Sequence, residues 1–173
     1  MVKISVLGVS KNSFYRSMHV PGVELVLYDK ERDMRSFKFD SAVIAHAPCA
    51  QWSRLRKFAK VNEDEKSLAF FALKAVEVCG GIFEHPHGSM FMRDYIGYDN
   101  CYRVNLHQFG FPALKPTLLY FNKVFPVKEP LNFNAVTHKL SNVRYSSRSK
   151  TPIEFNKWLI DCIIASGRCE WFK

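Results

Sequence analysis

A recurring order of short apolar run, polar or helical stretch and short apolar run constrains this chain most. Buried strands separated by crossover segments pair in parallel, with right-handed connections. The first run, Lys3 to Gly8, stops at a glycine and has the unbroken hydrophobicity of a strand covered on both faces. Ser10 to Met18 follows, with capping residues and the pattern of a short helix. Val23 to Asp29 is the second strand, and the charged stretch Lys30 to Arg35 leads toward a third at Ala42 to Ala45. From Glu65 to Cys79, Leu68, Phe71, Ala72, Ala75, Val76 and Cys79 recur at the i, i+3, i+4 spacing of an amphipathic helix. Gly80-Gly81 ends that helix, and Ile82 to Glu84 forms the next strand. Beyond Pro86 the sequence is aromatic and loop-rich up to Leu106; a turn from Gln108 to Lys115 then precedes an apolar strand through Phe121. After a Pro- and Asn-rich loop and the polar run Ser141 to Lys150, Thr151-Pro152 opens a last helix. Proline in its first turn is harmless because the missing N–H is unpaired there anyway. Phe155, Trp158, Leu159, Cys162 and Ile163 make its packing face. The expected fold is a single Rossmann-like, three-layer α/β domain over 1–173 with a mainly parallel sheet.

At 173 residues the chain builds one complete core and is short for two. Hydrophobic residues at 47% and aromatics at 14% exclude a disordered chain. The 25 Lys and Arg against 16 Asp and Glu leave a net charge of +9, which favours polyanionic partners such as nucleic acid or nucleotides. Five cysteines, odd in number and without C-x-x-C spacing, indicate neither a disulfide framework nor a zinc ribbon. Reduced thiols in a cytoplasmic setting are expected. Met1 to Leu7 reads as a strand rather than a secretory leader. No run reaches the ~20 apolar residues of a membrane span, so no membrane partner is expected.

The chemistry concentrates where two apolar runs end. In Ser41-Ala-Val-Ile-Ala-His-Ala-Pro48-Cys49-Ala-Gln-Trp52-Ser53 a cysteine follows a strand, and Ile82-Phe-Glu84-His-Pro86 ends a second strand in a carboxylate. Neighbouring parallel strands deliver their C-terminal ends to one ligand-binding edge. Cys49 and Glu84 are thereby placed to face one substrate, a pairing suited to covalent catalysis. The basic loop containing Arg54, Arg56 and Lys57 flanks them. Asp29, about twenty residues past the first turn, suits either ribose recognition or capping of the next turn. His46, His85 and His87 lie at the same edge and, with Cys49, offer nitrogen and sulfur metal ligands. Their spacing matches no zinc motif, so no metal is expected, and His46 and His85 are read as ordering the pocket through hydrogen bonds.

Three of these segments together resemble the C5-cytosine DNA methyltransferases. The nucleophile motif of that family, P-C-Q-x-F-S, is similar to Pro48-Cys49-Ala50-Gln51-Trp52-Ser53; its E-N-V motif is similar to Glu84-His85-Pro86. A third, Y-G-V-P-Q-x-R-x-R before a strand, resembles Phe109-Gly110-Phe111-Pro112-Ala113-Leu114-Lys115-Pro116-Thr117. Order and spacing agree over roughly residues 41 to 121, and the short layout resembles methyltransferase-like proteins carried by bacteriophages. The family's F-x-G-x-G loop is replaced by Leu7-Gly8-Val9-Ser10 with a single glycine, and there is no room for its target-recognition domain. Ala113, Lys115 and Thr117 stand where the third motif has glutamine and two arginines.

The resemblance implies a DNA-modifying transferase, in the cytoplasm of a host if phage-encoded. Cys49 would add to C6 of a cytosine, Glu84 would hold the N3 edge, and Lys115 would contact the base carbonyl or a phosphate. The base would be flipped out or supplied as single strand. It further implies S-adenosyl-L-methionine, held by Gly8, Ser10, Asp29 and Pro48, and nucleic acid, contacted by Trp52, Ser53, Arg54, Arg56, Lys57 and Thr117. Two other readings use the same residues. One is an enzyme acting on a free pyrimidine nucleotide or with another one-carbon donor. The other is a non-catalytic scaffold that binds nucleic acid or a nucleotide, for example in phage counter-defence.

Overall fold

Backbone pairing gathers the apolar runs into one mixed sheet. The computed structural model describes residues 1–54, 56–130, 138–143 and 150–167; most of the Asn-rich loop, most of the polar run before Lys150, and Cys169 lie outside the described residues. The strands are β1 (Val2–Leu7), β2 (Val23–Tyr28), β3 (Ala42–His46), β4 (Gly81–Pro86), β5 (Tyr102–Asn105) and β6 (Pro116–Asn122). Their order across the sheet is β2-β1-β3-β4-β6-β5. The β1–β2, β1–β3 and β3–β4 pairings are parallel, whereas β6 runs antiparallel to both β4 and β5. The sheet is therefore mixed, but β6 alone runs against the other five strands, so the expectation of a mainly parallel sheet holds by strand count. Alternation of side chains looks the same in either strand direction, so the reversal of β6 leaves no mark on the sequence. Its consequence is local: Pro86 at the end of β4 lies opposite Thr117 at the start of β6, so the residue before β6, Lys115, arrives at the C-terminal edge of β4.

Among the described residues two α-helices cover the sheet. Helix α1 (Glu63–Cys79) opens at Asn62, whose side chain accepts from the Glu65 amide at 3.1 Å. Glu63, Asp64 and Glu65 fill the first turn, where negative charge complements the helix dipole. Gly80 closes the helix at φ 78°, while Gly81 already belongs to β4. Helix α2 (Ile153–Ala165) begins one residue after Pro152, which sits at the N-cap. Ser10 to Met18 condenses to a single 3-10 turn, Phe14–Ser17, capped by the Ser13 hydroxyl.

Strand pleating divides the core into two clusters. Val43, Ala45 and Phe83 pack with Ala72, Ala75 and Val76 of α1. Ala42, Ile44 and Ile82, one residue out of phase, pack with Phe155, Trp158, Leu159, Cys162 and Ile163 of α2. Since neighbouring strand residues face opposite ways, the two helices lie on opposite faces. Among the described residues no helix is long and apolar enough to cross a membrane.

The packing of α2 is directly testable. Leu159 is fully buried, so Leu159→Ala is expected to lower unfolding stability by about 2–5 kcal/mol in urea titrations. Lys157→Ala removes only an exposed ion pair to Glu154 and is expected to change stability by less than about 0.5 kcal/mol. Equal effects of the two would place α2 off the core.

Candidate active site

Strand register creates the first polar contact at the edge. In the parallel β3–β4 pair His46 stands beside Glu84, and both project toward the α2 face. His46 Nδ1 meets Glu84 Oε2 at 3.0 Å, and His46 Nε2 meets the Tyr15 hydroxyl at 3.2 Å. Burial opposes ionisation of Glu84, yet the hydrogen bond and charge of His46, followed by Lys115 and His85, hold its carboxyl below the usual glutamate value. A carboxylate only accepts, so Nδ1 carries the hydrogen, and in the neutral ring Nε2 accepts from Tyr15. Burial, with the Glu84 charge behind it, pushes the Tyr15 phenol well up and keeps that donor in place.

Cys49 lies just past the end of β3. Its carbonyl accepts from the Trp52 and Ser53 amides at 3.0 and 2.8 Å, folding the segment into a tight turn. The Met90 amide donates to the Trp52 carbonyl at 2.9 Å, tying this turn to the segment after β4. His85 supports it from within: fully buried, it bonds Ser89 Oγ through Nδ1 at 2.6 Å. Burial holds its imidazole down to about 4, against the opposing pull of Glu84 and the Pro48 and Ala47 carbonyls. Its Nε2 has no hydrogen-bond partner among the described residues.

Cys49 itself is open to solvent but recessed among protein atoms. That desolvation and the Glu84 charge push its thiol up, while Lys115 pulls it down. Lys115 is anchored by its amide to Asn105 Oδ1 at 2.9 Å, and its Nζ lies 5.2 Å from the Phe111 ring centre. Burial lowers its ammonium, against the charges of Glu84 and Cys49. Thiol, carboxylate and amine thus sense one another's charge at a single edge. Burial opposes the charged form of both Cys49 and Lys115, while the Lys115 charge favours the Cys49 thiolate and the Glu84 charge favours the Lys115 ammonium.

The remaining expected site residues divide. Arg54, Arg56 and Lys57 are exposed beside the Cys49 turn. Trp52, expected on a nucleic-acid face, is instead 6% exposed, packed edge-on against Phe70, Phe91 and Tyr95; its place is beneath the turn, not on it. Thr117, expected on the same face, is fully buried, with Oγ1 3.3 Å from the Lys115 carbonyl. Ser53 contributes its amide to the turn.

On the expected cofactor side, a Cβ on Gly8 would stand 2.0 Å from the His46 carbonyl oxygen, and its φ is +78°. This glycine answers the close approach of β3. Asp29 accepts the Glu31 and Arg32 amides at 2.8 and 2.9 Å and pairs with Arg16. The Arg32 amide, the Arg16 guanidinium and the Glu31 amide together hold its carboxyl down to about 2. Of its two readings, the turn cap is the one the geometry displays. The exposed Ser10 gives its carbonyl to the Ser13 amide and Arg16 Nε, and Pro48 is half-buried under Cys49. Among the described residues no three His, Cys, Asp or Glu side chains converge as a metal-holding group; both nitrogens of His46 are engaged. Tyr15 was not legible as a site residue, since no motif links a turn after β1 to the end of β4.

Comparison of the chain with family models, curated proteins and solved structures finds no match.

Two titrations check this network. Replacing His46 by Ala removes the donor that favours ionised Glu84, so the Glu84 carboxyl titration, followed by carbon NMR, is expected to move up. An unmoved midpoint would mean the contact carries no weight. His85 is neutral in the fold, while the unfolded imidazole gains its proton near 6.5. A folded value depressed to about 4 therefore makes stability fall as pH drops from about 6.5 to 4. The loss is of order 3 kcal/mol when that window is crossed. His85→Gln, which keeps a polar group beside Ser89, is expected to flatten this slope in urea titrations; parallel profiles would contradict it.

Proposed function

We propose that this chain is a cytosine-directed, methyltransferase-like enzyme in which Cys49 attacks C6 of the base and Glu84 holds its edge. The base comes flipped out, in single-stranded DNA, or on a free nucleotide. The observation that carries this reading is the strand register that brings Cys49, Glu84 and Lys115 to the C-terminal edge of β3 and β4, where the charge of Glu84 acts on the other two. Helices on both faces and a site at that edge support a Rossmann-like, three-layer description of the fold.

The Cys49 proton leaves to solvent, the S–C6 bond forms, and the C5=C6 electron pair moves into the ring toward C5, N3 and O2. The Lys115 ammonium, whose charge favours the thiolate, hydrogen-bonds O2, where negative charge develops. Glu84, with one oxygen held by His46, accepts from the exocyclic amine of cytosine, a donor that uracil lacks. C5 is then nucleophilic.

The resemblance also implies S-adenosyl-L-methionine, but the residues assigned to it do not fit. The space beside Gly8 is filled by the His46 carbonyl, and Asp29 is spent on its own turn and on Arg16. The same engagement favours a second reading, in which the scaffold captures a nucleotide or nucleic acid without transferring a methyl group.

Exchange at C5 separates the two without any donor. In D2O, addition of Cys49, deuteron capture at C5, loss of the original C5 proton and expulsion of the thiolate replace hydrogen by deuterium. Proton NMR of deoxycytidylate or a short cytosine oligonucleotide is expected to show loss of the H5 signal with wild-type protein. Cys49→Ser, nearly isosteric but far less nucleophilic, is expected to abolish it. Equal exchange with both proteins, or none with either beside retained binding, would leave only the capture reading.

A further inference from the structure

Four side chains beside this edge have no part in the chemistry above: Arg54, His87, Tyr98 and Arg103. His87 follows β4 directly, and its amide donates to the Pro116 carbonyl at 3.0 Å, so it is tied to the residue next to Lys115. Its ring lies parallel to Tyr98, 6.3 Å between centres and 9° between planes. The Tyr98 hydroxyl donates to the Ser89 carbonyl at 3.4 Å, and the residue remains 43% exposed.

Arginines flank this pair. A Cβ on Gly88 would lie 2.6 Å from Arg54 Nε, so the glycine lets the Arg54 side chain lie across the turn that follows His87. Arg103 sits opposite Leu118 on β6, which sits opposite His85 on β4, placing it on the same sheet face as His85. After burial, the charges of Arg103 and Arg54 hold the His87 imidazole below its usual value. Arg16, Arg35 and Arg93 each pair with an aspartate. Among the described residues neither Arg54 nor Arg103 has an acidic partner within ion-pair distance.

Two guanidinium groups uncompensated by acids, set about an exposed aromatic stack, suit an anion joined to a flat ring. Guanidinium forks match phosphate oxygens, and a Tyr face takes a base without regard to sequence. The patch adjoins the Cys49 site but uses different residues, so its occupant extends beyond one nucleotide. We propose that Arg54, His87, Tyr98 and Arg103 form a subsite for single-stranded nucleic acid, gripping the phosphodiester and base that neighbour the cytosine offered to Cys49. This proposal rests on the cytosine-directed reading for the identity of the neighbouring base, while its binding surface is separate from that chemistry.

Fluorescence anisotropy with a short labelled oligodeoxycytidylate, measured over a salt series, tests it. Arg103→Gln and Tyr98→Ala are each expected to weaken binding about tenfold, and Arg103→Gln to reduce the salt slope by about one phosphate contact. Lys11→Gln removes the same charge from an exposed position in the loop after β1 and is expected to leave affinity within about twofold. Circular dichroism melts confirm that each variant folds; Arg103→Lys, which keeps charge but not the fork, is expected to recover only part of the affinity. Added oligonucleotide is expected to raise the His87 titration followed by proton NMR. Equal weakening by Lys11→Gln, unchanged binding by Arg103→Gln and Tyr98→Ala, tighter binding of duplex than of single strand, or an unmoved His87 would each overturn the subsite. Binding is read without turnover: absent C5 exchange with the expected binding pattern removes the chemistry and keeps the subsite, whereas exchange with no dependence on Arg103 or Tyr98 does the reverse.

Discussion

Parallel pairing of β3 with β4 in one register underlies everything at the edge. It sets His46 beside Glu84, and a carboxylate with so little exposure is tolerable only when such a donor accompanies it. A shift by one residue would turn Glu84 to the opposite face and leave His46 and Tyr15 without it. Two glycines allow β3 this position. Cβ atoms at Gly8 and Gly81 would each stand 2.0 Å from a β3 carbonyl, of His46 and Val43 respectively. The central strand is therefore held closely by backbone on both sides, which fixes where the Cys49 turn begins.

The second constraint is the reversed strand. A thiol after β3, a carboxylate on β4 and an amine before β6 meet because β6 enters the sheet from the edge at which β3 and β4 end. Burial then acts against the charged form of both the thiol and the amine, raising Cys49 and lowering Lys115. Glu84 works against the thiolate and in favour of the ammonium, so the balance among the three is set by position rather than by any one residue type. Outside this triad the basic surface extends along Arg54 and Arg103, in keeping with the +9 charge of the chain.

Much of the architecture was legible because it depends on local pattern. The stripe from Leu68 to Cys79, the Gly80 stop and the α2 face from Phe155 to Ile163 recur in the structure with nearly the expected bounds. The ends of β3 and β4 were legible for the same reason, and with them the neighbourhood of Cys49 and Glu84. What escaped depends on tertiary partners. β5 is a four-residue strand, Tyr102–Asn105, with only Val104 buried, so it carries no strand-like run. Trp52 has the composition of a nucleic-acid contact but meets Phe70, Phe91 and Tyr95 under the turn. Gly8 resembled the remnant of a cofactor loop, yet its lack of a side chain answers the His46 carbonyl. Asp29 had two local readings, and only the placement of Arg16 and the following amides displays the cap.

Cys49, Glu84 and Lys115 lie where the charges of Glu84 and Lys115 act on the Cys49 thiol. The pH dependence of Cys49 alkylation by iodoacetamide, read by mass spectrometry in wild-type, Lys115→Met and Glu84→Gln proteins, tests it most directly. Removing the lysine takes away a charge that favours thiolate, and removing the glutamate takes away one that opposes it. The Cys49 profile is therefore expected to move to higher pH in Lys115→Met and to lower pH in Glu84→Gln, with buried Cys79 and Cys162 reacting far more slowly in all three. Superimposable Cys49 profiles in the folded proteins would show instead that the three groups do not act on one another.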